Sequence, residues 1–282
     1  MSTSWHCGRF EFNLERPVLM GIVNVTPDSF SDGGLHASTD AAISHARRLI
    51  EEGAQILDIG GESTRPGAES VSLQRELDRI LPVIESLRLA GVALSADTCK
   101  PQVMQAALDA GADIINDVTG FRHQAVREVL ARHPSCGMCA MHMQGDPRSM
   151  QTAPHYTDEV AEVSGQLLQA AKAMQALGVA GSRIALDPGF GFGKTQVHNY
   201  TLLRRLDEIV ALGYPVLIGV SRKSMIGAVT GRSVDQRVVG SVAAAVLAVT
   251  LGARIVRVHD VQPTRDAMAI WEAMTFGPQE KK

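Results

Sequence analysis

Apolar residues in this chain gather into eight short runs, at 18–25, 55–61, 92–98, 113–119, 137–143, 183–187, 215–220 and 254–259. The runs are rich in Val, Ile and Leu and almost unbroken by polar residues. Strands of a parallel sheet read this way, because helices cover both faces. Between the runs lie stretches with apolar positions at helical spacing, among them 41–52, 72–89, 101–110 and 160–177. A strand-then-helix unit repeated eight times predicts an α/β fold made of a single closed (β/α)8 TIM barrel rather than an open sheet. Ahead of the first run, Phe10, Phe12 and Leu14 alternate with polar residues. That alternation predicts a short N-terminal β-hairpin within 1–16, plugging the barrel bottom. The barrel then occupies 17–275, and the polar tail 276–282 is expected to fray.

What stands at the end of each run turns a fold into a candidate site. In chain order the runs finish at or near Asn24, Asp58, Asp97, Asn116 with Asp117, His142, Asp187, Ser221-Arg222-Lys223, and Arg257 with His259. The carboxyl ends of barrel strands meet at one face, where barrel enzymes place their chemistry. Any one of these residues is as readily an ordinary helix cap. Together they exceed what capping requires, and they predict a polar, charged pocket at the barrel mouth. Asn24, Asp58, Asp97, Asn116 and Asp187 supply carboxylates and amides, while Lys223, Arg257 and His259 supply cations from the last two strands. The matching ligand is rich in N–H donors at one end and anionic at the other. Asp97, Asn116 and Asp187, on strands three, four and six, can converge on a flat heterocycle. A pterin, with its ring N–H and exocyclic amine, suits such paired acceptors. Barrels commonly hold phosphate beside strands seven and eight, where Lys223, Arg257 and His259 would neutralise it. A divalent ion bridging phosphates would take oxygen ligands from Asn24 and an acid. Asp58 has a plainer reading as the orienter of a neighbour, and His142 as a satisfied core histidine.

The bulk composition narrows the classes. With 282 residues, 45% of them hydrophobic, the chain has room for one large core, near the roughly 250 residues of a single barrel. Two smaller domains are the alternative on length, but no Pro/Gly/Ser-rich or charge-biased linker divides the sequence. The net charge of −3, scattered Lys and Arg, and 4% aromatics argue against nucleic acid or a membrane surface as partner. No apolar run approaches the length of a bilayer span, and no basic-then-apolar leader stands at the start, so a cytoplasmic location is expected. Cys7, Cys99, Cys136 and Cys139 are too few and too scattered for a disulfide framework. Cys136 and Cys139 form a C-x-x-C, yet on a strand residues three apart face opposite sides. They are expected to be separate packing residues.

Three loops carry further signals. Gly189-Phe190-Gly191-Phe192-Gly193-Lys194-Thr195 resembles a phosphate-binding loop only superficially, because Pro188 stands where that pattern needs its first glycine. It is expected to be a flexible loop beside the pocket, with Phe192 packing on a substrate ring. The stretches 26–34 and 62–67 are polar and turn-rich, as mobile lids are. In them Phe30 would shed water and Arg65 would reach a carboxylate on a second substrate. Ordinary surface loops are the plainer alternative.

These segments together resemble the dihydropteroate synthase family. The resemblance rests on Gly21-Ile22-Val23-Asn24-Val25-Thr26-Pro27-Asp28-Ser29-Phe30-Ser31-Asp32-Gly33-Gly34 and Asp58-Ile59-Gly60-Gly61-Glu62-Ser63-Thr64-Arg65-Pro66-Gly67. Asp97-Thr98, Asn116-Asp117, the run from Asp187 to Lys194, Ser221-Arg222-Lys223-Ser224 and Arg257-Val258-His259-Asp260 continue it in order. It covers the barrel from about Pro17 to Trp271. The family implies condensation of a dihydropterin diphosphate with p-aminobenzoate, with Mg2+ as cofactor. It implies that Asp97, Asn116, Asp187 and Lys223 grip the pterin, with Arg257 stacked on its face. Asn24, Thr64, Arg257 and His259 would hold the pyrophosphate, Asn24 also ligating Mg2+. Thr64, Arg65, Pro66, Phe192 and Ser221 would form the p-aminobenzoate site, completed by Phe30. Asp97, Lys223, Asp32 and Asn24 would carry the catalysis. Sulfonamides would compete with p-aminobenzoate, and a homodimer is expected. A pterin-binding methyltransferase barrel with a corrinoid partner would share the acidic pocket, but would not need Arg65 or Ser221-Arg222-Lys223. An inactive copy serving as a binding module would lose a charged pocket residue, and none is missing. A Schiff-base aldolase using Lys223 is disfavoured by the neighbouring cations.

Overall fold

The computed structural model describes residues 4–25, 34–63, 70–146 and 150–278. Strands β1 (Ser4–Cys7) and β2 (Phe10–Asn13) pair antiparallel as a hairpin. Eight further strands follow, namely β3 (Val18–Asn24), β4 (Ile56–Gly60), β5 (Ala93–Asp97), β6 (Ile114–Asp117), β7 (Gly137–Met141), β8 (Ile184–Asp187), β9 (Leu217–Ile218) and β10 (Ile255–Val258). They pair in parallel in the order β8-β7-β6-β5-β4-β3-β10-β9. A bridge between Leu186 and Val216 joins β8 to the approach of β9, and Leu186 N–H donates to the Pro215 carbonyl at 2.8 Å. The sheet therefore closes on itself as a barrel, leaving no open edge.

Around it lie α1 (Gly34–Glu51), α2 (Leu73–Leu87), α3 (Pro101–Ala110), α4 (Gln124–Arg132), α5 (Glu159–Ala176), α6 (Gln196–Arg204), α7 (Leu206–Val210), α8 (Ser224–Thr230), α9 (Val238–Thr250) and α10 (Val261–Phe276). Several begin on chemistry visible in the sequence. The Ser72 hydroxyl caps α2, Asp158 accepts from Val160 N–H and Ala161 N–H at the start of α5, and Thr195 with His198 forms a reciprocal cap on α6. Pro101 opens α3, where its missing N–H costs nothing.

The alternation of side chains along each strand separates two cores. Outward residues such as Leu57, Ile59, Leu94, Ile115, Met138 and Leu186 pack under the helices. Inward residues Met20, Ile56, Ala93, Ile114, Cys139, Ala185, Leu217 and Ile255 join Trp5, Cys7, Phe12 and Leu14 from the hairpin in a second cluster. The hairpin is thus the expected plug. Trp5 is fully buried, with its indole N–H donating to the Arg183 carbonyl at 3.1 Å. Arg9 forks onto Asp113, at 2.9 and 2.8 Å. Cys136 falls in the outer core and Cys139 in the inner one, and both are free thiols, so the C-x-x-C is two packing residues.

Two boundaries differ from expectation. The apolar run 215–220 yields only a two-residue ladder in β9, because Pro215 has no N–H to give and Val216 reaches β8 through a single bridge. Helix α1 begins at Gly34, earlier than the amphipathic pattern suggested.

Candidate active site

The register places one polar row across the barrel mouth. Asn24 pairs with Gly60, Gly60 with Asp97, and Asp97 with Asn116. Asn116 in turn pairs with Cys139, an inner-core residue, so the row faces the barrel axis. Asp58 lies two residues before Gly60 on β4, a layer deeper, and is fully buried. Its Oδ1 accepts from the Ser95 hydroxyl at 2.6 Å. Its Oδ2 accepts from Asn116 Nδ2 at 3.1 Å and from Arg257 Nε at 2.6 Å. The plainer reading of Asp58 is the right one, since it orients Asn116 and Arg257 from below.

Arg257 also donates from Nη2 to Asp97 Oδ2 at 2.8 Å, so one guanidinium bridges two carboxylates. Burial works against its charge, but Asp58 and Asp97 outweigh this and hold its pKa above the usual range. Asp97 keeps its other oxygen, Oδ1, buried and, among the described residues, without a hydrogen-bond partner. Burial, with the Asp58 charge adding to it and Arg257 opposing, raises the Asp97 carboxyl to about 7. A buried acceptor left unpaired is costly, and this one stands in the row where the sequence anticipates a donor-rich ring.

Asp187 ends β8, and its Oδ1 accepts from Gly189 N–H at 2.7 Å. Burial raises its pKa, and the Lys223 ammonium opposes that. Lys223 donates to the Phe190 carbonyl and stands 4.6 Å from the centre of the Phe192 ring, a cation–π distance. Burial lowers its ammonium to about 8. Gly219, just past β9, borders both cations, since a Cβ on it would stand in ordinary contact, 3.9 Å from both Lys223 Nζ and Arg257 Cδ. Ser221 Oγ lies 3.0 Å from His259 Nδ1 and accepts from His259 N–H at 3.2 Å.

The structure thus gathers Asp97, Asn116, Asp187, Lys223 and Arg257 around one mouth, with Asn24 in its row and Ser221 with His259 beside the cationic strands. Phe30, Asp32, Thr64, Arg65 and Pro66 lie outside the described residues. Arg222 turns away from the ligand side, its Nε pairing with Asp260 Oδ2 at 2.9 Å. Its φ of +57° is rare for a residue with a Cβ, and Ser241 Oγ accepts its N–H at 2.8 Å. Asp117 anchors its own turn, accepting from Thr119 N–H and Phe121 N–H, as a cap would. His142 is buried as expected, but among the described residues only Nδ1 has a partner and Nε2 has none.

The loop 189–195 is a correction. It is not a flexible loop but a tied one. The Lys194 ammonium, buried, donates to the Gly189 and Phe192 carbonyls at 2.9 and 3.0 Å. The Tyr156 hydroxyl donates to the Gly193 carbonyl at 2.7 Å, and Asn199 Oδ1 accepts from Gly191 N–H at 2.7 Å. Sequence reasoning quoted Lys194 and Asp260 but gave neither a role. It missed Lys100, which pairs with both Glu62 and Glu76 while Glu62 Oε1 accepts from Val71 N–H at 3.1 Å.

Residues 20–259 match the family described as "Pterin binding enzyme", and the chain belongs to that family of pterin-binding barrels. Its relatives narrow the class to the dihydropteroate synthases. It is 53% identical to the dihydropteroate synthase of Neisseria meningitidis serogroup C over 274 residues, 96% of this chain and 97% of that one. It superposes on the Xanthomonas albilineans dihydropteroate synthase solved with 4-aminobenzoic acid with a TM-score of 0.91, at 49% identity, covering 97% and 98% of the two chains. It likewise superposes on the Yersinia pestis dihydropteroate synthase in a sulfonamide drug complex with a TM-score of 0.91, at 46% identity, covering 96% and 98%.

Proposed function

We propose that this chain condenses (7,8-dihydropterin-6-yl)methyl diphosphate with p-aminobenzoate, giving 7,8-dihydropteroate and pyrophosphate in folate biosynthesis. The observation that carries the reading is the buried Oδ1 of Asp97, unpartnered among the described residues and in one row with Asn24 and Asn116. Asp97, Asn116, Asp187 and Lys223 hold the pterin, whose N–H edge supplies the donor that Asp97 lacks. Arg257, its plane fixed by Asp58 and Asp97, stacks on the ring. Arg257 and His259, with Asn24 and Thr64, take the diphosphate. Phe192 and Ser221 border the p-aminobenzoate site, with Phe30, Thr64, Arg65 and Pro66 supplied by the two long loops. Sulfonamides, which mimic p-aminobenzoate, compete there.

The chemistry needs charge stabilisation more than a strong base. The bond from the pterin methylene carbon to the diphosphate oxygen breaks, its electron pair leaving with pyrophosphate. The arylamine nitrogen forms the new bond to that carbon and then releases a proton. Arg257 and His259 stabilise the leaving group from fixed positions. Asp97 and Asp32 ease the positive charge developing on the methylene, while Lys223 keeps the pterin in place. Mg2+ prefers oxygen and is commonly held by few protein ligands together with substrate phosphates. The amide oxygen of Asn24 is a hard donor of that kind, so the residues fit the ion. When bound, Mg2+ would neutralise charge on the diphosphate.

The chain acts as a homodimer in the cytoplasm. No helix among the described residues is long and apolar enough to cross a membrane. The exposed positions of α9, Val239, Ala243 and Leu247, recur every four residues, and the helix carries no charged residue. That self-similar apolar stripe suits a second copy of the chain.

The test is release of pyrophosphate from the dihydropterin diphosphate with Mg2+, with and without p-aminobenzoate. Release accompanied by dihydropteroate and abolished by EDTA is expected. Pterin binding without product would overturn the reading in favour of a methyltransferase barrel or an inactive copy.

A further inference from the structure

We propose that Lys194 is a positioning residue for the second substrate, tying the glycine-rich turn that presents Phe192 and meets Lys223. The inference rests on the p-aminobenzoate site described above and adds a residue that touches no substrate. Lys194 Nζ is buried among four acceptors, the carbonyls of Gly189 at 2.9 Å, Phe192 at 3.0 Å and His142 at 3.4 Å, and His142 Nδ1 at 2.8 Å. Gly189 and Phe192 are the two ends of one tight turn, since Phe192 N–H donates to the Gly189 carbonyl at 3.1 Å. A single side-chain nitrogen therefore grips both ends of that turn and fastens it to the residue following β7.

The turn has no latitude at its root. Gly189 has a φ of +67°, and a Cβ on it would stand 1.9 Å from the His142 carbonyl oxygen. What the turn displays faces the site. The Phe190 carbonyl accepts from Lys223, and the Phe192 ring lies under the same ammonium at 4.6 Å. Tyr156 adds a second fastening at Gly193, at 2.7 Å, from outside the mouth.

Simple packing does not account for a lysine here. Burying an ammonium costs several kcal/mol unless its donors are satisfied, and an apolar residue of similar length would fill the same space. A methionine, however, has nothing to donate to the carbonyls of Gly189 and Phe192. The lysine is thus explained by the shape it imposes on the turn, and displacement of a substrate contact by about 1 Å can cost on the order of a hundredfold in rate.

The experiment compares Lys194→Met, Tyr156→Phe, His142→Asn and His142→Leu with the parent protein. The readouts are calorimetric affinity for the dihydropterin diphosphate with Mg2+ and the KM for p-aminobenzoate. Lys194→Met is expected to leave pterin affinity within about threefold and to raise that KM at least roughly tenfold. Tyr156→Phe gives a smaller rise in the same KM. His142→Asn, whose amide oxygen replaces the Nδ1 acceptor, stays near the parent, whereas His142→Leu follows Lys194→Met. An unchanged p-aminobenzoate KM, or a loss shared equally by pterin affinity, overturns the inference. If Lys194→Met fails to fold, Tyr156→Phe decides, and an unchanged KM there overturns it. A parent protein forming no dihydropteroate would overturn the functional reading as well, whereas product formation with unaltered KM values overturns this inference alone.

Discussion

Asp97 and Lys223 face each other across the mouth with proton affinities shifted toward one another. Burial and Asp58 bring the carboxyl up to about 7, and burial brings the ammonium down to about 8. In the proposed role Asp97 accepts pterin N–H bonds best when ionised, so productive binding is expected to weaken as pH falls through its pKa. Lys223 donates and neutralises only when protonated, so binding weakens as pH rises through its own. kcat/KM for the dihydropterin diphosphate is therefore expected to be bell-shaped, with limbs near pH 7 and pH 8 in the free enzyme. Asp97→Asn should remove the acid limb. Rate measurements from pH 5.5 to 9.5 in buffers of constant ionic strength check this, and a flat profile would refute the assignment. At this scale, the strand ends were plain in the sequence, because an Asp or Asn closing an apolar run has few reasons to be there. The partners were not. Lys194 meets His142 across 52 residues, and Arg257 meets Asp58 across 199, separations that no local pattern encodes.

Elements were legible where one period dominated. The helix expected at 101–110 is found at Pro101–Ala110, and that expected at 72–89 shortens to Leu73–Leu87 because Ser72 serves as its cap. Strand length was less legible, since an apolar run continues into the turn beyond the last ladder bond, as it does after β9. The hairpin was readable only from a weak alternation, yet it fills the barrel bottom with Trp5. Trp5→Ala should cost about 3–5 kcal/mol of stability, the usual range for emptying a buried aromatic site. Because the plug lies at the end opposite the mouth, both KM values should stay near the parent's. Urea denaturation paired with steady-state kinetics checks it, and a large KM change would contradict the division between bottom and mouth.

For the molecule as a whole, a closed barrel leaves its remaining apolar surface on helices. Val239 is 81% exposed and Leu247 58% on α9, while Ile270 and Met274 are exposed on α10, which packs against it. Val239→Glu with Leu247→Glu would place like charges opposite each other across the proposed two-fold interface, so the variant should be monomeric. Sedimentation equilibrium at micromolar concentration reads this directly, and a parent protein that sediments as a monomer would refute the dimer. Fold class was the most legible property of all, since eight repeats of one unit leave few ways to close a sheet. The two long loops were the least legible: of the five site residues they carry, Phe30 and Arg65 were read from loop chemistry, and Asp32, Thr64 and Pro66 from resemblance alone.

Closure also joins the two ends of the chain. Strand β3 pairs with β10, Val18 beside Ile255, and Trp5 binds the carbonyl of Arg183. A nascent polypeptide emerging amino end first holds β3 without its neighbour on that side until Ile255–Val258 have been made. Every shorter product, whether a stalled translation or a premature stop before Ile255, carries an unpaired edge and an incomplete hoop. The ring can close only once β10 has been made, so a chain that stops short of it is the form most in need of protection from its own kind.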